Sequence, residues 1–264
     1  EDLPCFGDPP HSWNSSHNQF NNGANDGFVQ EYYNRGGGEG AFRAMSYLER
    51  DQLPILYSLA DQYTLCDQWF SSVLGPTWPN RFYAHGAQNS GEKANNVQGD
   101  YSFETIYHRF YEAGYDYATY FSNVSFMMLL SDMPGRGRFR GFEEFHEDAR
   151  AGTLPNYTVI EPNYGRNCDH PPVHPMAGQL LLSSVLDSLS KGPQWERSMV
   201  FITYDEHGGF FDHVAPPKTE DNFAGEGFDQ LGFRVPSVVV GPYVKERYTS
   251  HTVYDHSSIL SFVE

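Results

Sequence analysis

Asp205, Glu206 and His207, followed at once by Gly208 and Gly209, are the residues of this sequence best placed to do chemistry. They break off an apolar, β-branched run, Met199 to Tyr204, that reads as a strand buried on both faces. Two adjacent carboxylates and an imidazole therefore emerge beyond the carboxyl end of a strand, where open α/β sheets collect ligands. Asp212 and His213 follow within the same short loop. An acidic pair alone would serve equally well to cap a turn. Acids and histidines interleaved with phenylalanine and glycine are instead the composition of a site that holds a cation or moves a proton.

A hydroxyl with chemical promise lies in the loop SSVLGPTWPNRFYAHG. Gly75 and Pro76 make a sharp turn, and the pattern places Thr77 at the N-cap of a helix with Pro79 in its first turn. A threonine there caps the helix or, at the positive end of the dipole, serves phosphate and a developing alkoxide. Two histidine groups complete the candidates. His11 and His17 sit in a Pro-, Gly- and Asn-rich stretch without helical or strand periodicity, residues 4–40, which reads as a long loop. His170 and His174 are four apart, but Pro171 and Pro172 forbid the helix on which such a pair would share zinc, so His170 is the candidate and His174 a loop residue.

The elements that must position these residues alternate between strand and helix. Helices are expected over Asp51–Tyr63, with Asp51 as cap and Pro54 in the first turn, after Thr77, around Phe103–Phe110, over Phe142–Ala151, around Leu182–Leu189, and from Ser257 onward. Strands are expected at Thr64–Trp69, Tyr117–Phe121, Pro155–Glu161, Met199–Tyr204 and Val235–Val240. Such alternation predicts one α/β domain, a three-layer α/β/α sandwich around a mostly parallel central sheet. At 264 residues the chain is long enough to bury that core.

Lys and Arg number 17 against 34 Asp and Glu, a formal charge of -17, which argues against nucleic acid or an anionic membrane surface as the main partner. An acidic protein that binds phosphate needs a cation between the two. Cys5, Cys66 and Cys168 allow at most one disulfide and no zinc ribbon. No apolar run approaches the ~20 residues of a membrane span. Abundant Asn, Gly, Tyr and Phe with few Lys points to a secreted or periplasmic protein.

The motifs GPTWPNRFYAHGA at Gly75–Ala87 and TYDEHGGFFDHVAPP at Thr203–Pro217 resemble those of the bacterial phosphoesterase family of phospholipases C and related acid phosphatases, within the alkaline phosphatase superfamily. DPPHSW near His11, LADQYTLCDQWF, CDHPP at His170 with Gly-Gln eight residues on, and HTVYDHSSIL at His251–Leu260 add to the resemblance, which runs from about Asp8 to the end.

The resemblance implies an alkaline-phosphatase-like fold and a phosphoric ester hydrolase. Thr77 matches the nucleophile that forms a phosphothreonine. Asp205 and Glu206, with the Thr77 oxygen, match ligands of one divalent metal ion, zinc or calcium. His11 and His170 match histidines that contact phosphoryl oxygens or protonate the leaving group. Asn80, Arg81, His207, Asp212 and His213 form a second tier. Threonine in GPTWPNR resembles the phospholipase C branch, with a phospholipid substrate, more than the acid phosphatase branch, with small phosphomonoesters. The family also carries a Glu-Asn pair on its first strand, and no Glu-Asn dipeptide occurs here. The domain, residues 1–264, is therefore expected to lack its N-terminal strand and its C-terminal end. A non-catalytic relative that binds an anion or a protein is the reading from a different class.

Overall fold

Tyr117–Phe121 (β2) shows how alternation builds the layers. The computed structural model describes residues 7–97, 99, 101–134 and 138–264, and in it successive side chains of β2 enter different cores. Tyr117 packs with Tyr107, Ile106, Phe82 and Leu260 on one face, Ala118 and Tyr120 with Phe145, Ala149 and Leu189 on the other. A period of two thus buries both faces of one strand. β2 lies between Phe139–Gly141 (β3) and Tyr157–Glu161 (β4), parallel to both, with Tyr117 opposite Tyr157.

A second sheet has the order Val200–Thr203 (β5), Ser237–Val240 (β6), Thr64–Cys66 (β1), Tyr248–Ser250 (β7). β1 runs parallel to β7, and β6 runs antiparallel to both β1 and β5. Three of the five pairings are parallel. β6 is reversed because the chain leaves β5 through the acidic loop and returns to pair with β5 itself.

Two helices join the sheets into one layer. Pro175–Ser190 (α7) sends Val185 and Leu189 onto the three-stranded sheet and Leu182 and Leu186 onto the four-stranded one, beside Leu53 and Leu56 of the segment that starts Pro54–Gln62 (α3). On the opposite face Ser257–Val263 (α8) places Leu260 in the first core and Ile259 against Cys66, Trp69 and Val235. Thr77–Gly86 (α4) and Ile106–Glu112 (α5) share that face, and Phe142–Ala151 (α6) lies with α7. The result is the three-layer α/β/α arrangement.

Several expectations from sequence need correction. β5 is half-buried throughout rather than buried on both faces, because among the described residues it is an edge strand that pairs only with β6. The described part of residues 4–40 contains short helical segments where a loop is expected: Trp13–Phe20 (α1) and Phe28–Tyr32 (α2), followed by a π-helical turn at Tyr33–Gly37 and a 3₁₀ segment to Met45. The buried residues of α1 are Ser15, Ser16 and Gln19, so its inner face is polar and leaves no hydrophobic period to read. Leu53, not Asp51, precedes α3, with Pro54 at its first position. β3 and β7 are too short to be seen as patterns. Cys5 lies outside the described residues, and Cys66 and Cys168 are free thiols.

Two ion pairs differ sharply in what they contribute. Arg81 is paired with Glu161, whose side chain is fully buried and also accepts hydrogen bonds from Tyr164, Ser125 and the Phe126 N–H. Arg50 and Asp61 pair in solvent. Glu161→Gln is expected to destabilise the fold by about 3 kcal/mol, because a buried guanidinium loses its charged partner. Asp61→Asn is expected to leave the urea midpoint unchanged; equal midpoints for the two variants would remove Glu161 as a structural anchor.

Candidate active site

The acidic loop leaves β5 at Thr203, and its two carboxylates are held differently. Glu206 is buried and accepts the Gly208 N–H at 2.6 Å; its Oε1 lies 3.8 Å from His11 Nε2 and its Oε2 3.5 Å from His207 Nδ1. Burial works against its ionisation, but the His11 charge and the bond from the Gly208 N–H outweigh it and hold the carboxyl below its ordinary range. Asp205 accepts the Glu206 N–H at 3.1 Å. Loss of hydration first, then the neighbouring Glu206 charge, pushes its carboxyl above the ordinary range, against the pull of Arg81.

Arg81 locates the hydroxyl. It sits on α4 four residues after Thr77, hence on the same helix face, and donates to Glu161 at the end of β4 and to Tyr164 while its charge acts on Asp205. The carboxyl ends of β4 and β5 therefore converge on the first turns of α4. Thr77 is the first residue of α4, not its cap; Pro76 holds the cap position and no side chain caps the turn, so the Thr77 hydroxyl is not committed to capping. Asn80 fixes the turn before it. Fully buried, it accepts the Val73 N–H at 2.9 Å and donates to the carbonyls of Gly75 and Pro76 at 3.0 and 3.2 Å.

The His11 segment is clamped between these two loops. Gly209 has φ +76°, and a Cβ there would meet the Pro10 carbonyl at 2.8 Å, so only glycine lets the acidic loop lie this close. On the other side the Trp13 ring lies against Gly75. Gln19 donates to the Pro10 carbonyl at 2.7 Å and accepts from His207 Nε2 at 2.8 Å, which gives His207 a positioning task beneath Glu206. His11 is largely buried. Burial would lower its pKa, but the Glu206 charge, the Pro9 carbonyl and Asp8 together raise it.

His170 stands beside His11, with ring centroids 5.5 Å apart and planes at 72°. Its loop is anchored by Asp169, which accepts the Tyr204 hydroxyl at 2.8 Å just before the acidic pair. A Cβ at position 178 would overlap the Asp169 carboxylate at 2.0 Å, which explains why Gly-Gln follows CDHPP. Gln179 in turn accepts the Leu56 N–H at 2.9 Å.

With Thr77 one turn before Arg81 on α4, Arg81, Asp205, Glu206, His11, His170, Asn80 and His207 are brought to one place or directly support it. Asp212 and His213 are not. Asp212 takes both ends of the Arg234 guanidinium at 2.7 and 2.9 Å, and His213 is exposed. His17 bonds the Trp13 carbonyl, and His174 caps α7 by accepting the Met176 N–H. His85 is pushed down to about 3, by burial first and then by the Arg81 charge, and shares a hydrogen bond with Tyr107 in the core.

Sequence reasoning missed four contributors. His256, fully buried, donates from Nε2 to the Asp205 carbonyl at 2.7 Å while Nδ1 accepts from Trp69 at 3.3 Å; burial keeps it neutral. Asp255 beside it accepts the Ser72 hydroxyl at 2.8 Å, tying the turn before Thr77 to the start of α8. Glu161 and Asp169 are the others. The signal for His256 and Asp255 was present in HTVYDHSSIL, a polar cluster with no apolar role to explain it.

The donor set fits a divalent cation. Two adjacent carboxylates, with the Asp205 carboxyl raised first by loss of hydration and then by the Glu206 charge, relieve their repulsion by sharing a positive ion, and hard oxygen donors suit a divalent cation.

The chain is similar to known proteins in sequence and in fold. Residues 2–264 match the Phosphoesterase family. Non-specific phospholipase C1 of Arabidopsis thaliana is 34% identical over 97% of this chain and 55% of its own length. Phospholipase C B of Mycobacterium tuberculosis (strain ATCC 25618 / H37Rv) is 30% identical over 98% of this chain and 59% of its own. The chain thus spans little more than half the length of these relatives. Among solved structures, a protein in the alkaline phosphatase superfamily from Vibrio parahaemolyticus superposes with a TM-score of 0.51 at 13% identity, covering 80% of this chain and 60% of that one. The lipoteichoic acid synthase LtaP from Listeria monocytogenes gives 0.53 at 14%, covering 80% and 64%. With the fold shared at that distance and the sequence matched from end to end, this chain belongs to the Phosphoesterase family.

Proposed function

We propose that this protein is a metal-dependent phosphoric ester hydrolase that works through a phosphothreonine at Thr77, and that its substrate is a phospholipid cleaved in the manner of a phospholipase C. The observation that carries the reading is the half-buried Asp205 beside the buried Glu206, with Arg81 and His11 flanking them and an uncapped Thr77 on the Arg81 face of α4.

Asp205, Glu206 and the Thr77 oxygen would hold the cation, which when bound lowers the hydroxyl pKa and offsets phosphate charge. Thr77 lies in the first turn of α4, where the backbone N–H groups and the dipole favour an anionic oxygen and a phosphoryl group. Thr77 Oγ1 attacks phosphorus, and the bond from phosphorus to the diacylglycerol oxygen breaks. His11 and His170 face that oxygen from the side opposite α4 in this reading, and one delivers its proton. Water then attacks phosphorus and passes a proton to that histidine, the bond to Oγ1 breaks with Oγ1 leaving as the alkoxide that began the cycle, and the phosphorylated head group leaves. Arg81, locked by Glu161, favours the charged form of Asp205. His256 fixes the Asp205 backbone from behind.

Two observations support a lipid substrate. The relatives at 30% identity and above are phospholipases C by name. The segment containing Phe42 and Tyr47, 72% and 77% exposed, is tied to the acidic loop by the Phe211 N–H bonding the Ala44 carbonyl at 2.8 Å. Exposed aromatics beside the loop suit a lipid surface.

Thr77→Ala is expected to lower turnover of a phosphocholine diester by about 10⁴-fold or more, with stability changed by less than about 0.5 kcal/mol. Retained turnover would exclude Thr77 as nucleophile. Wild-type activity confined to p-nitrophenyl phosphate would favour the acid phosphatase reading, and no hydrolysis of either substrate would leave the binding-protein reading. Asp205→Asn is expected to reduce metal content measured after gel filtration, while an unchanged metal content removes it from the ligand set. His256→Gln is expected to reduce kcat by about 10- to 100-fold with KM little altered, as loss of an outer support does; a KM effect alone contradicts the positioning role.

A further inference from the structure

Pro76 gives α4 no cap of its own, and Asn95, in the loop that follows the helix, reaches back to the first turn instead. Its Oδ1 accepts the Trp78 N–H at 2.8 Å. Trp78 follows Thr77 directly, so the bonded N–H is the one next to the reacting hydroxyl. A backbone N–H only donates, which fixes the carboxamide with its oxygen toward the helix and its nitrogen turned outward. Asn95 is exposed, and both Nδ2 hydrogens are without a partner among the described residues.

The loop is built to hold that carboxamide in place. Glu92 Oε1 accepts the Lys93 and Ala94 N–H groups, each at 2.9 Å, and Oε2 accepts from Asn96 Nδ2 and the Tyr101 hydroxyl, each at 3.3 Å. Asn89, fully buried, donates to the Glu92 carbonyl and accepts the Gly91 N–H, both at 3.0 Å. Lys93 Nζ stands 5.0 Å from the centre of the Trp13 ring, which lies against Gly75. The loop is therefore fastened on both sides of Thr77, through Trp13 at Gly75 and through Asn95 at Trp78.

We propose that Asn95 is a further catalytic residue, whose Nδ2 donates to a non-bridging oxygen of the phosphoryl group that Thr77 attacks. With Asn95 in place the Trp78 N–H does not meet the substrate directly; the carboxamide passes its polarity on. Hydrogen bonds in a chain strengthen one another, so an amide whose oxygen accepts from a helix N-terminus is a better donor at its nitrogen, and the dipole of α4 acts in the same sense. Fixed donors aimed where charge builds stabilise the transition state without reorganising.

The proposal rests on the reading that makes Thr77 the nucleophile, and two variants with one titration test it separately. Asn95→Asp keeps an oxygen for the Trp78 N–H but removes both donors, whereas Asn95→Ala removes the bond and frees that N–H for the substrate. In the metal-loaded enzyme, kcat for a phosphocholine diester is expected to fall about 100-fold or more in Asn95→Asp and about 10-fold or more in Asn95→Ala. A residue that only caps the helix gives the opposite order, because aspartate caps as well as asparagine and alanine does not. Inorganic phosphate, titrated into metal-loaded protein carrying ¹⁵N-asparagine, is expected to shift the Asn95 Nδ2 resonance. Wild-type kcat in either variant overturns the proposal, as does an Nδ2 resonance that stays in place under saturating phosphate. A shifted resonance in a protein that hydrolyses no phosphate ester keeps Asn95 as a phosphate contact and overturns the Thr77 reading instead.

Discussion

Two carboxylates side by side beyond the end of a half-buried strand are an electrostatic burden, and much of the structure is arranged around carrying it. Neither Asp205 nor Glu206 has the hydration an exposed acid would keep, and each raises the cost of charging the other. The protein answers with positive charge and with donors. Arg81 approaches Asp205 from α4, His11 approaches Glu206 from the N-terminal segment, and the Gly208 N–H closes on Glu206 within the loop. Each compensating group then needs a support of its own: Arg81 has Glu161, His11 has the Pro9 carbonyl, and the loop has His207 and Gln19 beneath it.

This chain of supports explains why distant stretches of sequence are bound to one another. The acidic loop cannot approach the His11 segment without glycine at 209, and the His170 loop cannot settle without glycine at 178. Asn80 and Asp255 tie the turn before Thr77 to itself and to the last helix. His256 joins that same helix to the Asp205 backbone. The two sheets supply the frame. α7 and α8 cross the seam between them on opposite faces, so the ends of β4 and β5 are held at a fixed spacing on either side of Arg81.

The elements legible in the sequence were those in which apolar burial sets the pattern. β2 and α6 match their expected limits, and α4 begins one residue earlier than expected, at Thr77, because each presents a clear period or a glycine or proline stop. The N-terminal helices were not legible, since α1 buries serines and a glutamine to serve the site rather than the core. Asp205, Glu206 and Thr77 stood out by chemical type at element ends, while Asp212 stood out equally and proved to be engaged with Arg234, twenty-two residues further on. Spacing within a loop does not reveal which acid has a distant arginine partner. His256 and Asp169 act through backbone and hydroxyl partners far away in sequence, a relation that no local pattern encodes.

The most direct test of the account is to trap the covalent enzyme. The protein is mixed with a phosphocholine diester, quenched in acid within the first turnovers, digested and analysed by mass spectrometry. The account predicts a phosphoryl group, still carrying its head group, on the Thr77 hydroxyl in the peptide spanning Gly75–Arg81. Turnover that leaves Thr77 unmodified while another side chain carries the phosphoryl group would contradict it.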